Sequence, residues 1–504
     1  MTVVYSLVAI TLSAIWIWWK GRGPTSKECL PHYRGWPVFG NLFQVRRERS
    51  ELTFSEWTKD LGPVFSVKLL HNRFVVLSSF EAIYEALVTK GNSFSGRPTK
   101  NAFRAEVISE HFSSILHLQA NQTWKKLRMI CHKKIKMYDT GMKRIEAISM
   151  NIIQFLVEEF KGTNQTSFNP KDVIYNTVMN TMMTLLLGKT FTKDEELFEK
   201  VMEFEQGAIR ASSPSGRGVE LDVFPWLRFF GNKTYKTLKR LVELKKQVWE
   251  IMTEEASRGD LLLKEGEEDV RLVSALRDAL AEEGSGLTEK HLRSVITNDI
   301  VIGGTATTSS SLYLFLNIIS RHRAVQMKLQ EEVDRIVGSD RTVCLTDKAD
   351  MPYTQATQLE LLRYSSVAPL TLPHTSLEDI VIQGKTVPAG SNVLVNLYHM
   401  HHDEDFWENP FEFQPERFLG DDGGVVPASH PNRRHLMPFG AGPRVCLGEA
   451  LAKSRLFLVI ASLMQKFDIL PGAVSAPCDP RLLEHGLVLS SAPFQIIANE
   501  RLLN

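Results

Sequence analysis

The sequence predicts a mainly α-helical body with a small β-sheet region, preceded by one N-terminal transmembrane helix. Three observations carry this expectation. Apolar residues recur at helical spacing over long stretches, runs with strand character are few and short, and Met1 to Trp19 hold no charged side chain.

Residues 1–20 are the expected anchor. Met1 to Trp19 is dense in Val, Leu, Ile and Trp and is followed by Lys20 and Arg22. A helix of this length reaches about 28 Å, against roughly 30 Å of bilayer hydrocarbon. A cleaved signal peptide is the rival reading, but it calls for a basic leading segment, and MTVVYS has no Lys or Arg. Lys20 and Arg22 place the remaining chain in the cytosol by the positive-inside rule, and Trp16, Trp18 and Trp19 suit the interface. Residues 21–37 contain Pro24, Pro31 and Pro37 and read as a stiff linker.

Residues 38–504 read as one large body. Helical periodicity predicts helices at Phe80 to Lys90, Asn121 to Met137, Met142 to Lys161, Pro170 to Gly188 and Lys193 to Ala211. Further helices are predicted at Leu238 to Arg258, Glu289 to Ser320, Ala324 to Val337 and Ala450 to Lys466. Strand signals are confined to VFSVKLL and FVVLS near 64–78, DIVIQ and VLVNLY near 379–398, and the end of the chain. No repeat of the solenoid type is visible.

Composition narrows the function classes. Of 504 residues, 43% are hydrophobic and 23% charged, which excludes a disordered, collagenous or multi-span chain. The 59 Lys and Arg against 58 Asp and Glu argue against a polybasic nucleic-acid binder. Cys29, Cys131, Cys344, Cys446 and Cys478 form no C-x-x-C pair, so a zinc ribbon or disulfide framework has little support.

Chemistry enters at Phe439-Gly-Ala-Gly442-Pro-Arg444-Val-Cys446-Leu-Gly448. A lone cysteine is most often a small buried hydrophobe, but its neighbours here have a joint purpose. An iron porphyrin held by a thiolate needs an exposed sulfur on a tight loop, and Gly442 and Gly448 permit the turns and close backbone approach. Arg444 is suited to a haem propionate, while Phe439 and the loop amides would shield and temper the sulfur.

This segment resembles the haem signature of the cytochrome P450 family, F-x-x-G-x-R-x-C-x-G, at every fixed position. Glu360-Leu-Leu-Arg363 is similar to the family's E-x-x-R pair, and Pro415-Glu416-Arg417-Phe418 to the segment whose Arg joins that pair in a buried network. The resemblance also implies Trp124, Arg128, His374 and Arg444 as propionate partners and Cys446 as the axial ligand of haem b. It runs from about Pro37 to the C-terminus. IGGTATT, SSVAPLTLPH and FGAGPRVCLGEALAKSRLFL look most like the animal steroid 17- and 21-hydroxylase branch. The implied fold is that of the family, and the implied location is the endoplasmic reticulum membrane, single-pass, with the catalytic domain facing the cytosol.

One departure is informative. Where the family has [A/G]-G-x-[D/E]-T-[T/S], this chain reads Gly303-Gly304-Thr305-Ala306-Thr307-Thr308. Thr307 fits the threonine that organises protons on the distal side, but Ala306 replaces the acid. Two adjacent helical glycines cost about 1 kcal/mol each relative to Ala, and close approach of haem and dioxygen would explain Gly303 and Gly304. Asp299, seven residues before Ala306, either lines the distal space or pairs with a basic residue of a neighbouring helix.

The expected function is a haem-thiolate monooxygenase that inserts one atom of O2 into a lipophilic, steroid-like substrate. Electrons would come from NADPH through NADPH-cytochrome P450 reductase, with cytochrome b5 as a second implied donor and no nucleic-acid partner. Lys125, Lys126, Lys133, Lys134, Lys136, Arg433 and Arg434 supply the basic docking face. Phe103, Ile108, Phe112, Ile115, Leu116, Leu487 and Val488 are apolar where the family forms its pocket. Two alternatives stay open: a haem-thiolate isomerase or dehydratase acting on a peroxide, which Ala306 slightly favours while Thr307 and the steroid-hydroxylase resemblance oppose it, and a non-catalytic haem or lipid carrier.

Overall fold

The protein is seen in a computed structural model that describes residues 30–135, 140–192, 194–212, 218–260, 271–484 and 486–501. The expected anchor and the first part of the linker lie outside the described residues. Among the described residues, no helix is long and apolar enough to cross a membrane.

After α1 (Ser50–Leu61), strands β1 (Val64–Leu69) and β2 (Asn72–Leu77) form an antiparallel hairpin. Helices α2 (Gln122–Ile135), α3 (Thr140–Gly162), α4 (Lys171–Leu187), α5 (Glu196–Ser212), α6 (Lys233–Asp260) and α7 (Leu272–Ala281) follow. Helix α8 (Gly303–Ile319) is preceded by Glu289–Ser294 and a wider π-helical turn, Val295–Ile302. Then come α9 (Arg323–Ile336), α10 (Pro352–Ser365), strands β3 (His374–Thr375), β4 (Ile380–Ile382), β5 (Lys385–Val387) and β6 (Asn392–Val395), and α11 (Glu449–Lys466). Strands β7 (Phe467–Pro471) and β8 (Ile496–Glu500) pair antiparallel at the end of the chain.

The expected single helix from Glu289 to Ser320 is therefore interrupted. Val295, Ile296, Thr297, Ile300, Val301 and Ile302 crowd the turn with branched side chains, and the two glycines that follow lower the cost of leaving regular geometry. VLVNLY divides as well. Its strand stops at Val395 because the Asn396 side chain accepts the His399 amide (3.2 Å) and starts a short helix, Leu397–His401. Leu272–Ala281 is a helix that the sequence reading did not include.

The main sheet has the order β1-β2-β6-β3, with β6 parallel to β2 and β3 antiparallel to β6. A bridge between Gly96 and Thr375 sets the Ser95–Arg97 segment against β3. The helical core centres on α8 and α11. Leu312–Ile319 and Leu456–Gln465 are buried on every face, as expected for helices with no solvent stripe.

Helix α10 has no cap of its own at Met351. Glu332 of α9 supplies it: its carboxylate accepts the amides of Tyr353 (2.8 Å) and Thr354 (2.8 Å) and the Thr354 hydroxyl (2.7 Å). Negative charge at a helix N-terminus is favourable, and these donors are buried. Glu332→Ala strands them and is expected to cost about 3 kcal/mol, with Glu332→Gln losing roughly half as much. Chemical denaturation of the two variants checks this, and equal stability of Glu332→Ala and the parent would refute it.

Candidate active site

Phe439–Gly448 folds as a loop that turns back on itself. The Cys446 amide donates to the Phe439 carbonyl (2.9 Å) and the Val445 amide to that of Gly442 (3.1 Å). Gly440 and Gly442 have φ of 68° and 70°. At Gly442 a Cβ would stand 1.8 Å from the Leu87 carbonyl oxygen, so the loop meets the Glu85–Thr89 turn at a distance only glycine permits. Cys446 lies deep within the chain yet exposes its side chain to an internal space. Burial pushes its thiol pKa up, opposed by the Gly448 amide and the positive charge of Arg128.

A set of cations converges beside this loop. Arg128 of α2 donates to the Val445 carbonyl (2.6 Å). Arg444 donates to the carbonyls of Ser95 (2.9 Å), Ile115 (3.3 Å) and Leu118 (2.7 Å), and its guanidinium lies 4.5 Å from the Trp124 ring centroid. Arg97 donates to the carbonyls of Leu116, Leu372 and Pro373, each at 2.9 Å. The adjacent His374 meets the Phe94 carbonyl through Nδ1 (2.8 Å). Burial and mutual repulsion lower Arg97 to about 9, Arg444 to about 10, and His117 and His374 to about 3, so both rings are neutral.

Among the described residues no carboxylate pairs with Arg97, Arg128 or Arg444, and the buried Trp124 Nε1 has no hydrogen-bond partner. Desolvated cations and an orphaned donor next to an accessible sulfur fit an anionic, acceptor-bearing ligand, and the propionates of a haem held at Cys446 meet that description. All four residues expected at the propionates fall in this cluster. Arg97 and His117 were not foreseen. Each stands alone in sequence, and only the Gly96–Thr375 bridge and the Ser114–Leu118 turn bring them in.

Below the loop, Glu360 and Arg363 form a bidentate pair, both fully buried (Nε–Oε2 and Nη2–Oε1, 2.7 Å each). Arg417 reaches Glu360 at 3.5 Å and donates to the Asn409 carbonyl (2.7 Å). Arg363 also donates to the His401 carbonyl (2.8 Å). His401 Nε2 accepts the Met437 amide (3.1 Å), which fixes Nδ1 as the protonated nitrogen facing Ser366 (2.7 Å). Met437 leads into Phe439, so the ion pair and the cysteine loop are mechanically continuous.

On α8, the Thr307 hydroxyl donates to the Gly303 carbonyl one turn back (3.0 Å). The two glycines have different surroundings. A Cβ at Gly303 would meet nothing nearer than the Asn298 carbonyl at 3.9 Å, whereas one at Gly304 would stand 2.7 Å from Met182 Cε. Gly304 thus serves the packing of α4 on α8, and open space lies beside Gly303 alone. Ala306 is buried.

Of the two expected roles for Asp299, lining the distal space or pairing with a basic residue, the second is met only at a distance: Lys245 acts on it electrostatically, with no salt bridge among the described residues, and backbone amides hold its carboxylate. Its carboxylate accepts the amides of Ile115 (2.5 Å) and Leu116 (3.2 Å), and burial raises its pKa to about 7. It anchors the Ser114–Leu118 turn whose carbonyls hold Arg97 and Arg444. Asp299→Ala removes both acceptors and is expected to raise hydrogen exchange at the amides of Ile115 and Leu116 at least tenfold, while the α11 core stays protected. Unchanged exchange there would refute the anchoring role.

The sequence pattern of the cytochrome P450 family matches residues 30–498. Cytochrome P450 2U1 of Bos taurus is 30% identical over 521 residues, covering 98% of this chain and 94% of the relative. Steroid 17-alpha-hydroxylase/17,20 lyase of Gallus gallus is 31% identical over 511 residues, covering 98% and 97%. A solved zebrafish cytochrome P450, described with progesterone, superimposes with a TM-score of 0.76 at 26% identity over 89% of this chain and 99% of that one. The helical body with small sheets, the cysteine loop and these likenesses agree: the chain belongs to the cytochrome P450 family and is a monooxygenase of that family.

Proposed function

We propose that residues 38–504 form a haem-thiolate monooxygenase domain that inserts one oxygen atom from O2 into a lipophilic, steroid-like substrate, with electrons from NADPH delivered by a partner reductase. The observation that carries this reading is the open Cys446 sulfur beside guanidinium groups that no carboxylate of the described residues pairs with. In it, Cys446 ligates the iron of haem b, and Trp124, Arg97, Arg128, His374 and Arg444 bind the propionates. Bound haem supplies the activation of dioxygen. Phe439 shields the sulfur, Arg128 favours its thiolate, and Gly448 contributes an amide to it. Glu360, Arg363 and Arg417 hold the loop in place. Thr307, beside the open face at Gly303, holds and passes a proton through its hydroxyl.

The substrate class rests on the lipophilic lining and on the names of the relatives. Ile108 and Ile302 belong to one apolar cluster reaching towards Gly303. Phe103, Val107, Tyr235 and Val242 line an outer hollow of about 470 Å³ together with the charged Arg228, Lys239, Glu243 and Lys246. Nearby, Trp226, Phe229 and Phe230 are strongly exposed, the last at 77%. Leu42 and Leu70 pack on Val219, which brings exposed Trp36, Phe39 and Phe43 to the same side. Such a face suits a bilayer surface and supports an endoplasmic reticulum location with residues 1–20 as anchor and 21–37 as linker.

For the reductase and cytochrome b5, α2 offers a basic outer face. Lys125 and Lys133 are exposed on the helix that carries Trp124 and Arg128 inward. Lys126 is engaged with Glu282 (2.7 Å), and Arg434 lies over the rings of Phe80 and Tyr84. Lys136 lies outside the described residues.

Cys446→Ser is expected to abolish the carbon monoxide difference band of thiolate-ligated ferrous haem, while substitution of Cys131, Cys344 or Cys478 leaves it. A retained band in Cys446→Ser would overturn the assignment.

Ala306 offers no proton where the family has an acid, so NADPH consumption is expected to be poorly coupled to product. Ala306→Glu should lower hydrogen peroxide release per NADPH about tenfold and Thr307→Ala should raise it. If Ala306→Glu changes nothing, the account of the departure fails. Product formation from an organic peroxide without reductase, indifferent to both substitutions, would favour the isomerase reading.

A further inference from the structure

Arg455 is a cation to which the proposed chemistry gives no part. It sits on α11, the helix that begins where the cysteine loop ends, and is 3% exposed. Its guanidinium crosses to the back of α8. Nη2 donates to the Gly304 carbonyl (2.9 Å) and the Thr308 hydroxyl (3.1 Å), Nη1 meets Met182 Sδ (3.3 Å), and Nε has no partner among the described residues. Burial alone lowers its pKa, to about 10, so it is charged at neutral pH, and no carboxylate of the described residues offsets it.

Holding a desolvated charge here is costly. Its acceptors are a neutral carbonyl, a neutral hydroxyl and a thioether, none of which is a counter-charge, and one donor is unused. A methionine would fill the space against Met182 without that cost. What the guanidinium adds is a positive field on the Gly303–Thr308 turn, whose adjacent face, about 100° round the helix, carries Thr307 and the open space at Gly303. With alanine at 306, that turn itself holds no acid to cancel the field.

We propose that Arg455 is a positioning residue that acts through this turn, holding Gly304 and Thr308 from behind and making the distal face electropositive, so that haem bound at Cys446 is more readily reduced. This rests on the haem-thiolate reading. The step is the one-electron reduction of ferric to ferrous haem by the reductase. Arg455 keeps its proton, no bond forms or breaks on it, and its charge favours the state with the added electron because the medium between them is poorly screening.

The test uses the full-length, haem-loaded protein and its Arg455→Lys, Arg455→Gln and Arg455→Met variants, with spectroelectrochemical midpoint potential and thermal midpoint as readouts. The potential is expected to follow charge: near the parent value for Lys, and lower for Gln and Met, with the ferrous-to-ferric ratio at a fixed potential falling several-fold. Arg455→Met should be no less heat-stable than the parent, since it removes an uncompensated buried charge. Thr308→Val, which removes one acceptor but leaves the charge, should keep the parent potential. Gln and Met variants with the parent potential, a Met variant that loses thermal stability, or failure of both neutral variants to fold would make Arg455 a structural clamp and overturn the proposal. A missing thiolate carbon monoxide band in the unsubstituted protein would instead refute the reading beneath it.

Discussion

Glu360 and Arg363 face each other with no exposure to water, and the placement of the cysteine loop depends on them. An ion pair so deeply buried adds little net stability, because desolvating two charges offsets most of their attraction. Its value is positional. Removing either partner would leave a bare charge in the core, at a cost of about 3–5 kcal/mol, so the two side chains, the His401 and Glu412 carbonyls and the Gln414 amide have one acceptable arrangement. His401 transmits that arrangement to Met437, and thus to the segment that closes on Cys446 through Phe439. Glu332 extends the same logic upstream by seating the start of α10.

The other side of the site is built by convergence. Arg97 arrives from the segment bridged to β3, His374 from β3 itself, Arg128 and Trp124 from α2, and Arg444 from the cysteine loop. The guanidinium groups are satisfied as donors by backbone carbonyls, so their geometry is fixed, yet their charge is left uncompensated. That combination, satisfied hydrogen bonds with unsatisfied charge, favours an anionic ligand without requiring the side chains to move. Asp299 contributes indirectly by tying down the Ser114–Leu118 turn, whose carbonyls orient two of the three arginines.

The distal helix shows the same separation of geometry from charge. Met182 packs against Gly304, and Arg455 reaches the carbonyl of that glycine from behind, so α4, α8 and α11 meet at one residue. The π-helical turn before Gly303 is in keeping with this crowding.

The mainly helical class, most helix positions, the short strands and the cysteine loop were legible in the sequence because each has a local cause. Amphipathic spacing makes helices, branched runs make strands, and Gly442 and Gly448 leave room around a cysteine. Glu360, Arg363 and Arg417 were legible only through resemblance, since E-x-x-R is equally a surface pair until burial is known. The break at Val295–Ile302 was not legible, because helical periodicity continues through it. Arg97, His117 and Arg455 carried no signal either, being isolated polar residues, and the neighbours of the two arginines come from segments up to about 280 residues away. By itself the sequence determined where the cysteine and glycines of the loop fall, because their spacing is a property of one short segment. Only the tertiary structure decided which charges stand unpaired around it, that Gly304 serves packing, and that Asp299 holds backbone amides, because each of these follows from what a distant segment places within hydrogen-bond or contact distance.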